Sequence, residues 1–347
     1  MNHSHSFPKT NQIILIERLT ALWALSESGL GGILHALQIP LKGILVNGLS
    51  VILITLIAYY ALHKYRDIIK ATLIVIVIKA MVSPHTPPTA YIAVAFQGLM
   101  GGFIYGYINN IRVGAIFLAI ITFLESALQR LFMLTIIFGN PLWESINVFF
   151  DFILREFHLL QENETSDASF WIIAFYLVIY LLAGVIIGLF SGMFPRRLDR
   201  IKAEEIDIPD SYQNLPVEQY EKSKPLWKRK KYQILTILTL ITLVLYLLSA
   251  KYDMSIGIYV FFRTLLVIGI WYSIIAPLVM KFMSKFLKRQ QRKYAMEIDK
   301  VLFYLPELKY LARTTWEHTN KYSGFRRVTF FLEFLIARVL FQAAREE

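Results

Sequence analysis

The chain is divided into apolar blocks of the length an α-helix needs to cross a hydrocarbon layer of about 30 Å, roughly 20 residues each. The cleanest blocks are 41–62, 68–82, 90–108, 113–138, 170–194, 234–248 and 256–280, and most hold few or no charges. A further block, 13–37, is also long enough, but it carries Glu17, Arg18, Glu27 and His35 and so is expected to face protein or a polar cavity. With it, the sequence predicts an all-α, polytopic transmembrane bundle of about eight spans. Composition agrees: 56% of the 347 residues are hydrophobic, above the ~45–50% of a soluble domain, and the mean hydropathy is +0.50.

The net charge of +11 would suit nucleic acid, but the basic residues sit beside the apolar blocks, where the positive-inside bias places them. Nucleic acid is therefore not an expected partner; the lipid bilayer is. If every block crosses once, His63, Lys64 and Arg66, then Arg112, then Arg196, Arg197, Arg200 and Lys202, then 228–231 and 281–293 all share one side. That side is predicted to be the cytoplasm of a plasma membrane, with both termini on it. The opposite side receives 83–88, 251–253 and the acidic stretch 144–167. The first nine residues lack the features of a removable signal peptide and are expected to form a short tail.

Three segments follow. Residues 1–195 form a six-span bundle. Residues 196–231, polar and broken by Pro209, Pro216 and Pro225, form a cytoplasmic linker. Residues 232–347 form a two-span half whose end alternates apolar and basic positions, as amphipathic cytoplasmic helices do. Phe149, Phe150, Ile153 and Phe157 recur at helical spacing and predict a helix along the outer surface.

Small residues stand four apart at Ala24, Ser28, Gly32 and Ala36, at Gly98, Gly102 and Gly106, and at Gly184, Gly188 and Gly192. Such stripes let helix backbones approach, either within the chain or against a partner. Between Lys79 and Tyr91, Pro84, Pro87 and Pro88 interrupt any helix around Ser83 and His85. The interruption is a loop closing over a ligand or a rigid turn. Glu27, Lys79, Glu125 and Arg130 are ionisable groups at membrane depth, so they either pair structurally or line a polar pocket. His35 has no second ligand at metal-site spacing, and no metal is expected. Cysteine is absent, which removes thiolate and disulfide chemistry. No phosphate-binding glycine loop, HExxH or Gly-x-Ser-x-Gly occurs, so no enzyme activity and no cofactor are expected, and any ATP hydrolysis falls to another subunit.

On these residues the N-terminal part resembles the substrate-binding S-components of energy-coupling factor (ECF) vitamin transporters. The resemblance implies that Ala24, Ser28, Gly32 and Ala36 dock a scaffold subunit and that Ser83 to Tyr91 closes over a substrate. The part from Pro225 onward is weakly similar to the T-component, whose coupling helices insert Ala-Arg motifs into ATPase grooves. Ala312-Arg313 and Ala337-Arg338 are the matching positions, with Thr314 and Val339 where that family has Gly or Ser. The expected function is a membrane transport component that binds a small polar solute and engages cytoplasmic ATPase subunits, with a further membrane subunit as a possible partner. The pocket residues would be Glu27, Lys79, His85, Tyr91, Gln97, Glu125 and Arg130. Two alternatives stay open: a membrane scaffold without a ligand, and a lipid-modifying enzyme using Glu125 or His85 as general base.

Overall fold

A computed structural model describes residues 9–30, 42–83, 86–161, 164–201, 235, 237–244, 246 and 256–341. Among them every regular element is helical. In chain order these are α1 (Lys9–Leu25, continued by a π turn at Ser26–Leu30), α2 (Lys42–Tyr60), α3 (Lys64–Val82), α4 (Pro88–Tyr107), α5 (Ile111–Phe138), α6 (Asn140–Glu156) and α7 (Ala168–Ile201). There follow α8 (Ile256–Ile270), a π turn at Trp271–Ile275, α9 (Ala276–Lys293), α10 (Ala295–His318) and α11 (Gly324–Phe341).

Three helices among the described residues are long and apolar enough to cross a membrane: Ile111–Phe138, Ala168–Leu198, and Ile258–Lys293 through the π turn. This is fewer than the eight expected, for identifiable reasons. Glu17, Arg18 and Glu27 interrupt the first block, while α3 carries Lys64, Arg66, Asp67, Lys70 and Lys79. Glycine, tyrosine and Gln97 dilute α4, and the apolar part of α2, Ile44–Tyr60, is short. Most of the block 234–248 and the linker from 202 to 231 lie outside the described residues.

The chain divides into two compact units. The first comprises Met1–Phe123, Ala183–Ser223 and Phe286–Glu347; the second comprises Leu124–Leu182 and Lys224–Lys285. This division is not colinear with the three sequence segments, because the C-terminal hairpin α10–α11 clusters with the N-terminal helices.

In the first unit α1, α2, α3 and α4 enclose a core that includes Leu19, Trp23, Leu53, Ile57, Ile78 and Tyr105, all fully buried. The glycines of α4 seat it on α3: a Cβ on Gly98 would meet the Thr72 side chain at 1.9 Å, and one on Gly102 would meet Ile69 at 3.0 Å. The stripe on α7 faces backbone. A Cβ on Gly184, Gly188 or Gly192 would lie 3.1, 2.6 or 2.8 Å from the Cα of Ile120, Ile116 or Arg112 on α5. Both glycine stripes thus pack within the chain. Gly188→Ala is expected to cost about 1–3 kcal/mol, because backbone cannot move aside as a rotamer can. Gly106→Ala, whose Cβ would meet Tyr65 at an ordinary 3.6 Å, should stay within about 0.5 kcal/mol of the parent. Denaturant titrations in detergent compare the two.

The hairpin α10–α11 turns at Gly324, where φ is +58°, and Arg327 lies over the Trp316 ring at 4.0 Å. Ion pairs join the hairpin to the rest of the unit: Arg18 to Glu307, Lys300 to Glu17, Lys70 to Glu297 and Arg197 to Glu333.

Candidate functional site

One group of buried polar residues in the first unit meets toward the end of its helices where α1 and α3 finish and α2 and α4 begin. Glu27 lies in the π turn that ends α1, and Lys79 stands in the last turn of α3. Their side chains are buried and meet, with Lys79 Nζ donating to Glu27 Oε2 at 2.7 Å. The second carboxylate oxygen accepts from Ser50 Oγ at 2.6 Å, and Ser50 Oγ accepts in turn from Trp23 Nε1 at 3.1 Å. A buried ion pair persists when its remaining valences find partners; Ser50 and Trp23 supply them here.

Beside this network, Gln97 on α4 donates from Nε2 to Asn47 Oδ1 on α2 at 2.9 Å. Gln97 is 1% exposed, and its Oε1 has no hydrogen-bond partner among the described residues. Leaving a buried amide oxygen unmatched costs about 1–3 kcal/mol. Two further bonds knit this end together: Ser83 Oγ donates to the Ser28 carbonyl at 3.1 Å, and the Tyr91 hydroxyl donates to the Ser83 carbonyl at 3.3 Å. Pro87, extended, leads into α4 and places Tyr91 in its first turn.

The structure therefore brings Glu27, Lys79 and Tyr91 toward one end of the first unit, while Gln97, midway along α4, pairs with Asn47. Glu125 and Arg130 belong to the second unit. There Glu125 is half-buried, with Oε2 lacking a hydrogen-bond partner among the described residues, and Arg130 is exposed. His85 lies outside the described residues, as do Gly32 and Ala36. Ala24 and Ser28 are buried inside their own bundle. Asn47, Ser50 and Trp23 were not among the sequence candidates, although Asn47 and Ser50, three apart in an otherwise apolar block, share a helix face.

No family model, characterised protein or solved structure matches this chain.

The Ala-Arg positions differ sharply from each other. Arg313 is 81% exposed and, among the described residues, pairs with Glu317, one turn along. Arg338 is 8% exposed and donates from Nη1 to Thr315 Oγ1 at 3.1 Å, beside a fully buried Ala337. At the end of α1 remote from Glu27, a cavity of about 290 Å³ opens between α1, α3 and α10, with Glu17, Arg66, Lys70 and Glu297 among its walls. Among the described residues no group of acidic or histidine side chains is arranged to hold a metal ion.

Proposed function

We propose that the chain is a multi-pass membrane transport component of the ECF type, binding a small polar solute among the buried polar residues of the first unit, Gln97 and Glu27 included. The observation that carries this reading is the set of buried polar side chains inside the first unit, Glu27 with Lys79 and Ser50 and Gln97 with Asn47, with an acceptor left over at Gln97 among the described residues. Because Glu27 and Lys79 neutralise each other, the solute is recognised chiefly by amide and hydroxyl groups. Burial also supports α1 to α4 as further spans: Arg18, Glu27 and Lys79 are 3%, 4% and 5% exposed, so lipid does not meet their charge. The loops rich in lysine and arginine support termini on the cytoplasmic side. At the other end, the packing of α10–α11 on α1 supports a C-terminal half that engages the N-terminal bundle as a scaffold does. Arg313, exposed, is the contact for an ATPase subunit, while Arg338 serves the hairpin itself.

Native mass spectrometry from gentle detergent tests the reading. The wild-type chain is expected to carry a small-molecule adduct, and Gln97→Leu to lower its occupancy about tenfold, the equivalent of one lost hydrogen bond of ~1.4 kcal/mol. Absence of both an adduct and a co-purifying ATPase would leave the scaffold reading in its place.

A further inference from the structure

The helix α6 joins α5 to α7, the two longest apolar helices of the N-terminal part, and it belongs wholly to the second unit. Gly139, at φ +75°, ends α5 directly after Phe138 and redirects the chain into α6. Three side chains of α6 then fix its orientation. Trp143 Nε1 donates to Thr135 Oγ1 on α5 at 3.2 Å. Asn147 Oδ1 accepts from the Ser169 amide at the start of α7 at 2.8 Å. Asp151 Oδ1 accepts from the Ser166 amide at 2.7 Å and from the Ser166 hydroxyl.

With that flank tied down, the opposite one presents Val148, Phe149 and Phe152, which are 67%, 59% and 66% exposed. At 100° per residue they occupy an arc of about 100° on one side of the helix. A fixed helix that shows three large apolar side chains has an occupant for them. The neighbouring helices point to it: Phe132 on the last turns of α5 and Trp171 on the first turn of α7 are exposed too, and both helices are long and apolar enough to cross a membrane. Aromatic side chains at such a level are those that settle at the boundary between acyl chains and headgroups. Glu144 and Arg155 border the arc on one flank and are exposed, as the polar border of an in-plane helix is.

We propose that α6 is an interfacial anchor: it lies in the plane of the bilayer boundary and buries Val148, Phe149 and Phe152 in lipid, holding the connected ends of α5 and α7 at a fixed depth. Neither the bonds of α6 nor its exposed arc depends on the transport reading.

The chain contains no cysteine, so single-site nitroxide labelling needs no background removal. The full chain carrying Phe152→Cys, Phe149→Cys or Glu144→Cys is labelled and reconstituted in phosphatidylethanolamine and phosphatidylglycerol vesicles. Collision rates with oxygen, enriched in lipid, and with a neutral nickel chelate, enriched in water, are then read by power saturation. At 149 and 152 the oxygen rate should exceed the nickel rate severalfold, with the order reversed at 144. Higher nickel than oxygen accessibility at both 149 and 152 overturns the proposal in favour of a water-facing helix. Low accessibility to both agents, with dipolar broadening, overturns it in favour of a second copy of the chain covering the arc. Agreement between two label sites separates a true depth from a local distortion at either one.

Discussion

Lys79→Met should destabilise the first unit by about 3–5 kcal/mol, among the largest effects of any single substitution in this chain, because it leaves the Glu27 carboxylate buried without its counter-ion. The ammonium and the carboxylate are in direct contact at 2.7 Å, and both side chains are buried. The size of the loss reflects the stranded charge more than the attraction of the pair, since water solvates both ions well when the chain is unfolded. A second substitution separates these contributions. In Glu27→Gln with Lys79→Met no charge is stranded, and the amide oxygen still accepts from Ser50, so most of the stability should return, to within about 1–2 kcal/mol of the parent. Reversible denaturant unfolding in mixed micelles of the parent, both single variants and the double variant measures the coupling. A double variant as unstable as Lys79→Met alone would mean that the two groups are not partners.

Much of this network was legible in the sequence, and the reason is physical. A charged residue inside an apolar block must find a partner or a cavity, so Glu27 and Lys79 stood out at once; which of four ionisable groups pair is a tertiary matter that spacing along a chain does not encode. Glu27 and Lys79 meet across 52 positions, whereas Glu125 and Arg130 belong to a different unit. Ser50 and Trp23 escaped notice because a lone hydroxyl or indole in an apolar block is unremarkable until an acceptor is placed beside it. The glycine stripes were readable as close-approach faces, and the approach of Gly188 to Ile116 Cα at 2.6 Å, measured from an added Cβ, gives that reading its geometry. The C-terminal hairpin was the least legible part. Its alternation of apolar and basic positions suits a membrane surface as well as a protein one, and the ion pairs of Arg18, Glu17, Lys70 and Arg197 with the hairpin favour the protein one.

Arg18→Met is expected to release the hairpin α10–α11 from α1. The guanidinium is 3% exposed and touches both hairpin helices: Nη1 donates to Glu307 Oε1 at 3.1 Å and to the Val339 carbonyl at 3.4 Å, and its carbon sits 5.0 Å from the centre of the Tyr304 ring. Hydrogen bonds to charged groups contribute about 1.5–3 kcal/mol and a partly desolvated cation on an aromatic ring about 1 kcal/mol. Their joint loss, about 3 kcal/mol, raises the open population of the hairpin roughly a hundredfold. Backbone amides of 295–341 should therefore exchange with deuterium faster by about that factor, while those of α3 and α4 keep their protection. Arg18→Lys should recover only part of the effect, because an ammonium cannot serve the carboxylate, the carbonyl and the ring together. Arg313→Ala, at an exposed position, should leave exchange unchanged. Acid acts on the same joint through Glu297, whose carboxyl is held below the usual glutamate range by the hydrogen bond from Lys70. A carboxyl lowered by folding adds stability that is complete above its unfolded pKa and is lost as pH falls through the folded one. Acidification should thus loosen the hairpin in a step that Lys70→Met removes, added to the Arg18 effect rather than replacing it. Unchanged exchange across 295–341 in Arg18→Met would show that the Arg18 contacts are incidental to holding the hairpin.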